Sequence, residues 1–156
     1  MSVLRFVIPG EPRGKGRPRF GKSRAGFVTV RTDDKTAAYE NLVKLAARQA
    51  GAVSIAGPLS VQISAYFVPP SSWSKKRRAA AMAGQEAPSR FDIDNICKAV
   101  LDGLDGVAFD NDKQVVTLFA RKAFADVARC EVQVFPCVGI NERSAGSPQN
   151  RAAQAA

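Results

Sequence analysis

The stretch from Phe91 to Leu104, FDIDNICKAVLDGL, constrains the chain more than any other part of it. It opens with alternating apolar and acidic residues and then turns helical. Ile93, Cys97, Val100, Leu101 and Leu104 recur at the helical period and share one face. Such a face must be buried against another layer, which predicts a helix over 94–104 packed on a sheet. Asp94 suits the N-cap, and Lys98, four residues on, projects from the same side. The helix is expected to end near Gly103 or Gly106. The chain then returns through Val107-Ala108-Phe109 to Asp110-Asn111-Asp112.

If residues 91–94 are extended, Asp92 and Asp94 point to one side, with Phe91 and Ile93 turned to the core. The two carboxylates then lie about 7 Å apart, a gap that one hydrated divalent cation bridges. The acidic turn at 110–112 is expected to bring a third carboxylate beside them. Each feature alone has a plainer reading. Asp94 is a sufficient cap, Asp94–Lys98 and Lys98–Asp102 are ordinary i,i+4 pairs, and Asx residues favour turns.

Around this segment the pattern is that of a single α+β domain, with helices on a mixed sheet in the order β-β-α-β-(α)-α-β-β. Residues 3–8 read as a strand stopped by Pro9 and Gly10. Gly10–Arg19 (GEPRGKGRPR) has too much glycine and proline for a helix and reads as an exposed arm. Residues 26–30 form a short strand expected to pair with the first. Thr32, with Asp33 and Asp34, opens a helix over 35–50 that Gly51 closes. Residues 59–67 alternate as a strand ending at Pro69. Ser71 and Ser72 are placed to cap a short basic helix, and 83–89 (AGQEAPS) reads as a mobile loop. Residues 114–124 and 129–136 are expected to form a hairpin. The domain is placed at 1–140 and a disordered polar tail at 141–156. The 156 residues suffice for a core without staples.

Histidine is absent, which removes every Ser-His or Cys-His catalytic system and every His-ligated metal. The three cysteines, Cys97, Cys130 and Cys137, show no CxxC spacing. They point to a reducing cytoplasm rather than a disulfide scaffold or thiolate zinc site. No apolar run is long enough for a transmembrane helix, and no membrane partner is expected.

The net charge of +9 is unevenly spread. Residues 1–31 carry +7, Lys75–Arg78 add +4, and 92–112 carry −5. The basic blocks favour a polyanionic partner such as nucleic acid, through Arg13, Lys15, Arg17, Arg19, Lys22 and Arg24 in the arm and Lys75, Lys76, Arg77 and Arg78. A nucleic-acid surface repels carboxylates unless a cation lies between them and the phosphates. Mg²⁺ resolves that conflict, so the chemistry that fits is metal-assisted phosphodiester hydrolysis.

The run Asp92-Ile93-Asp94-Asn95-Ile96-Cys97-Lys98-Ala99-Val100-Leu101-Asp102-Gly103-Leu104, followed by Gly106-Val107 and by Asp110-Asn111-Asp112-Lys113-Gln114-Val115-Val116, resembles the signature of RusA-type Holliday junction resolvases, many carried by phages and prophages. The arm Gly10-Glu11-Pro12-Arg13-Gly14-Lys15-Gly16-Arg17-Pro18-Arg19 is similar to the basic, proline-containing arm of many members, and the likeness runs over about residues 3–136. The resemblance implies a RusA-like fold and a homodimer. It also implies an Mg²⁺-dependent endodeoxyribonuclease, with Mn²⁺ as an alternative, that resolves four-way and other branched DNA in recombination and repair. By the same resemblance Asp92, Asp94 and Asp112 hold the metal and Lys98 assists. Asp102 also falls on the motif and, one helical turn past Lys98, is read as positioning it. Where members often have two adjacent acids before x-Q-V, this chain has Asn111-Asp112, which leaves Asp110 as an outer-sphere substitute. Two other readings remain at this point: a non-catalytic nucleic-acid-binding module with a structural acidic segment, and a broader phage flap or fork nuclease.

Overall fold

The alternation in LSVQISAYF buries Leu59, Val61, Ile63, Ala65 and Phe67 on one side of a strand, and this strand organises the molecule. A computed structural model describes residues 3–31 and 33–137; Thr32 and the tail expected at 141–156 lie outside the described residues. In chain order the elements are β1 (Leu4–Pro9), β2 (Arg19–Lys22), β3 (Val28–Arg31), α1 (Asp34–Gln49), β4 (Leu59–Phe67), α2 (Lys75–Met82), α3 (Ile93–Leu104), β5 (Val115–Phe124) and β6 (Arg129–Pro136). A 3₁₀ turn at Asp112–Gln114 precedes β5.

Four strands form the main sheet in the order β1-β6-β4-β5, with β4 antiparallel to β6 and parallel to β5. The fold is the expected α+β domain with a mixed sheet, but two pairings differ from expectation. β5 and β6 are not a hairpin: β4 lies between them, and residues 125–128 cross its end, where the Ala125 amide donates to the Phe67 carbonyl. β3 pairs with β2 in a separate two-stranded sheet, while β1 pairs with β6. Local alternation marks a strand but carries no information about its neighbour.

Leu4, Phe6 and Ile8 of β1 and Cys130, Val132 and Val134 of β6 point to the same side as the apolar set of β4. α1 and α3 cover that side. α1 brings Tyr39, Val43 and Ala47; α3 brings Ile96, Val100 and Leu104. Each fully buried branched side chain contributes about 1.5–3 kcal/mol. No helix among the described residues is long and apolar enough to cross a membrane.

α2 starts two residues later than expected from Ser71 and Ser72: Ser74 is its N-cap and accepts from the Arg77 amide at 3.2 Å. The segment after it is tied back rather than free, because Arg77 pairs with Glu86. α3 ends at Leu104, beside Gly103 as expected, but this glycine does more than mark the end. It is buried inside α3, where a Cβ would stand 2.6 Å from Val43 Cβ, so a glycine is what lets α1 and α3 cross closely.

Candidate active site

The first carboxylates are set by an unusual turn. Phe91 holds φ at +56°, a left-handed conformation that costs a non-glycine residue roughly 1–2 kcal/mol. Lys122 Nζ on β5 donates to the Phe91 carbonyl at 2.8 Å and fixes the turn. Asp92 follows as the N-cap of α3, and Asp94 falls in its first turn. The cap is thus Asp92 rather than Asp94, and Ile93 is partly exposed rather than a core residue. Asp92 makes no side-chain capping bond. Neither Asp92 nor Asp94 has a side-chain hydrogen bond or ion pair among the described residues. Both carboxylates face solvent, with Lys98 exposed one turn further on.

The basic arm runs against this helix start. The Lys15 amide donates to the Asn95 carbonyl at 2.9 Å, and the Gly16 amide donates to Thr36 Oγ1 at 3.0 Å. At Gly14 a Cβ would lie 3.1 Å from Asn95 Cβ and 3.3 Å from the Phe91 ring, so a larger residue would need these neighbours to give by a few tenths of an ångström. The arm therefore lies along the carboxylates it was expected to complement. Arg17, Arg19, Lys22 and Arg24 are exposed and Arg13 is half-buried. Lys15 does not face outward: its ammonium bonds Asp102 and lies 3.7 Å from Glu40 Oε1. Asp102 thus holds Lys15, not Lys98.

Asp112 is not brought to the pair within one chain. α3 spans about 18 Å, and the turn carrying residues 105–112 leaves its far end. β5 then starts beside Leu59, and only seven residues later does Lys122 reach Phe91, about 23 Å along the strand. Asp112 consequently sits on the order of 20 Å from Asp92. Among the described residues no group of three or more acidic, histidine or cysteine side chains is placed to hold a metal. Asp110 is engaged by Ser54, whose hydroxyl donates to it at 2.6 Å. Asn111 caps the 3₁₀ turn, accepting from the Lys113 amide while Gln114 accepts from the Asn111 amide.

In the second basic block Lys75, Lys76 and Arg78 are exposed. Arg77 is taken up by Glu86 and lies 3.6 Å over the Trp73 ring. Sequence reasoning gave Lys122 and Gly14 no part in the site and took Phe91 only as a core-facing residue. A lysine in a strand pattern and a glycine in a glycine-rich arm carry no local signal of their distant partners.

Electrostatically, the bond to Asp102 raises the Lys15 ammonium above its usual value, so it stays charged at neutral pH. Burial, with a further push from Asp94, raises the Cys97 thiol, and burial lifts Cys130 to about 12. Neither is a thiolate nucleophile at neutral pH. What is left for chemistry is two uncommitted carboxylates and a lysine. Oxygen donors of this kind suit Mg²⁺, which binds through one or two carboxylates plus substrate phosphate and keeps several waters. The donor set fits such an ion.

The family model for "Endodeoxyribonuclease RusA" matches residues 9–135. A Bacillus subtilis (strain 168) protein described as "Uncharacterized protein YqaN" is 35% identical over 138 residues, which is 86% of this chain and 96% of that protein.

Proposed function

Because the chain belongs to the RusA family of endodeoxyribonucleases, we propose that it is a divalent-metal-dependent nuclease that resolves four-way DNA junctions. The observation that carries this reading is the exposed, uncommitted pair Asp92 and Asp94 at the start of α3, with the basic arm stitched alongside. A phosphate held by the arm faces those carboxylates across a space that only a cation can occupy without repulsion.

The residues assigned to the metal are Asp92 and Asp94 of one subunit and Asp112 of the partner subunit. What supports a partner's contribution is the separation of Asp112 from the pair within one chain, together with an edge strand that has no further strand beside it among the described residues. β5 is the last strand of the sheet and leaves Leu118 45% and Phe119 56% exposed. A second copy pairing antiparallel about the middle of β5 sets residue 115 of one chain opposite residue 124 of the other, and residue 117 opposite residue 122. That end of β5 is where Lys122 holds Phe91, next to Asp92. Two such copies present two equivalent sites, as symmetric cutting of a junction requires.

When bound, the ion supplies Lewis-acid charge to the scissile phosphate and acidity to a coordinated water. Asp92 and Asp94 would hold it, with the Phe91 turn setting where the helix that carries them begins. Lys98 places an ammonium beside the phosphate oxygens, where charge accumulates in the transition state. Arg17, Arg19, Lys22 and Arg24 bind phosphates by charge and shape rather than by base sequence.

The test is incubation with a synthetic four-way junction, a fork and a linear duplex, each with Mg²⁺ or EDTA. Paired symmetric cuts in the junction, in Mg²⁺ only, are expected. Binding without cleavage in either Mg²⁺ or Mn²⁺ would leave a binding module, and preferential cutting of the fork would leave a fork nuclease.

A further inference from the structure

A cavity of about 570 Å³ opens at the ends of β4 and β5, beside the start of α3. Its wall is aromatic: Trp73 meets Phe124 edge to face, with ring centres 5.6 Å apart and planes 70° apart. The Arg77 guanidinium lies 3.6 Å over the indole and is held there by two-point pairing to Glu86. On the other rim Arg90 pairs with Glu11 at 3.0 Å. Both arginines of the cavity are therefore neutralised by carboxylates, which removes the attraction a phosphate would need. A flat, neutral, polarisable group with polar edges suits it better, and the volume falls within the range of small-ligand sites.

Position narrows the occupant further. Ser89 and Arg90 line the cavity, and Asp92 follows them directly in the chain. Three residues span at most about 10 Å, so the rim lies within one or two nucleotides of a phosphate at Asp92. Phe91, with its positive φ, stands between them. Strain of this kind concentrates where geometry must be held for function. We propose that this cavity takes one unstacked nucleobase of the strand whose phosphate lies at Asp92 and Asp94. The proposal rests on the nuclease reading above and adds a base-holding site beside the cleavage site. Aromatic stacking of bases tolerates any sequence, so the cavity's first role is to fix a strand whose helix is interrupted.

Trp73 is the chain's single tryptophan, so its emission reads the cavity directly. The full-length protein in EDTA is titrated with a four-way junction carrying mispaired bases at the crossover, and with a continuous duplex of equal length. Binding is followed separately by gel shift. At saturation the junction should remove most of the Trp73 emission while the duplex leaves it unchanged. Ala87, exposed and on the cavity wall, offers a place for a plug that removes no member of either ion pair. Ala87→Phe should abolish the quenching. It should also shift the positions cut in junctions that differ only in the bases flanking the scissile phosphate. Unchanged emission with bound junction, equal quenching by duplex, or quenching and cut positions untouched in Ala87→Phe would each overturn the proposal. Cleavage without quenching sinks the cavity and leaves the nuclease standing. Quenching without cleavage in Mg²⁺ does the reverse.

Discussion

The ammonium of Lys15 is bonded to the carboxylate of Asp102 across 87 positions of sequence, and this bond ties the basic arm to the outer face of α3. Both side chains are about a third exposed (33% and 37%), so the pair contributes only about 0.2–1 kcal/mol to stability. Asp102→Asn should therefore fold normally, with a slightly lowered urea midpoint, and should expose Arg13–Lys22 to faster tryptic cleavage. The pH dependence follows from the raised Lys15 value. A cation stabilised in the fold contributes fully below its unfolded value of 10.5 and loses that contribution as pH rises through the higher folded value. The stability gap between wild type and Lys15→Met should hold steady from neutral pH to about 10 and shrink above it. A gap that closes already at pH 8 would show that another group is responsible.

Asp94→Asn should bind junctions and fail to cut them, since it removes metal-binding charge and leaves the arm intact. Asp112→Asn should behave alike. Mixing the two inactive proteins separates a shared site from one built within a chain. A mixed dimer that shares its sites across subunits holds one intact site, so nicking should recover to about a quarter of the wild-type level in an equal mixture. No recovery after subunit exchange, itself checked by differently tagged chains, would place all three aspartates within one chain.

Arg17 and Arg19 extend into solvent from a segment whose base is anchored to Asn95 and Thr36. Replacing both by alanine should weaken junction binding at low salt. It should also reduce the slope of log affinity against log salt by about one unit for each phosphate left unneutralised. An identical slope would mean that the arm touches no phosphate.

Much of this architecture was legible from periodicity. β4, α1 and α3 each carry several apolar residues at a fixed period, and their bounds follow. The strand order did not follow, because the insertion of β4 between β5 and β6 is decided by side-chain packing across the sheet. Nothing in residues 125–128 announces a crossover. At the site the acidic helix start was readable because it is local, but the extended course expected for 91–94 was not found: Phe91 is left-handed and α3 already begins at Ile93. The separation of Asp112 was not readable, because it depends on the direction in which β5 runs past α3. Asp102 was misread for a related reason. Its i,i+4 partner Lys98 is visible in sequence, whereas Lys15 arrives from a remote arm.

Gly103 yields a stability prediction. Its place near the end of α3 was readable in sequence, whereas its contact with Val43 and the Glu40 carbonyl of α1 was not. A methyl group at 2.6 Å from Val43 Cβ forces the helices apart, and such overpacking costs typically about 1–3 kcal/mol. Gly103→Ala gains up to about 1 kcal/mol of helix propensity in return, which only partly offsets the clash. The net effect should be a loss visible in the urea midpoint. A gain would mean that the α1–α3 crossing relaxes freely.

Lys98 separates binding from turnover. It stands one turn after Asp94 on an exposed face and has no ion pair among the described residues. Its charge is one among 23 basic residues in the chain, so removing it should barely change the affinity for junctions. In the transition state negative charge grows on the phosphate oxygens, and a preplaced donor is worth about 3–4 kcal/mol there, or roughly 10²–10³ in rate. Lys98→Ala should therefore lose that factor in single-turnover cleavage of a prebound junction while its gel-shift affinity stays near wild type. Lys98→Arg should restore only part of the rate, because a planar guanidinium does not occupy the place of a compact ammonium. Equal losses in affinity and rate would make Lys98 a phosphate-binding residue of the surface. A wild-type rate in Lys98→Ala would make it a solvated residue on the helix, leaving the carboxylates and their ion to do the chemistry unaided.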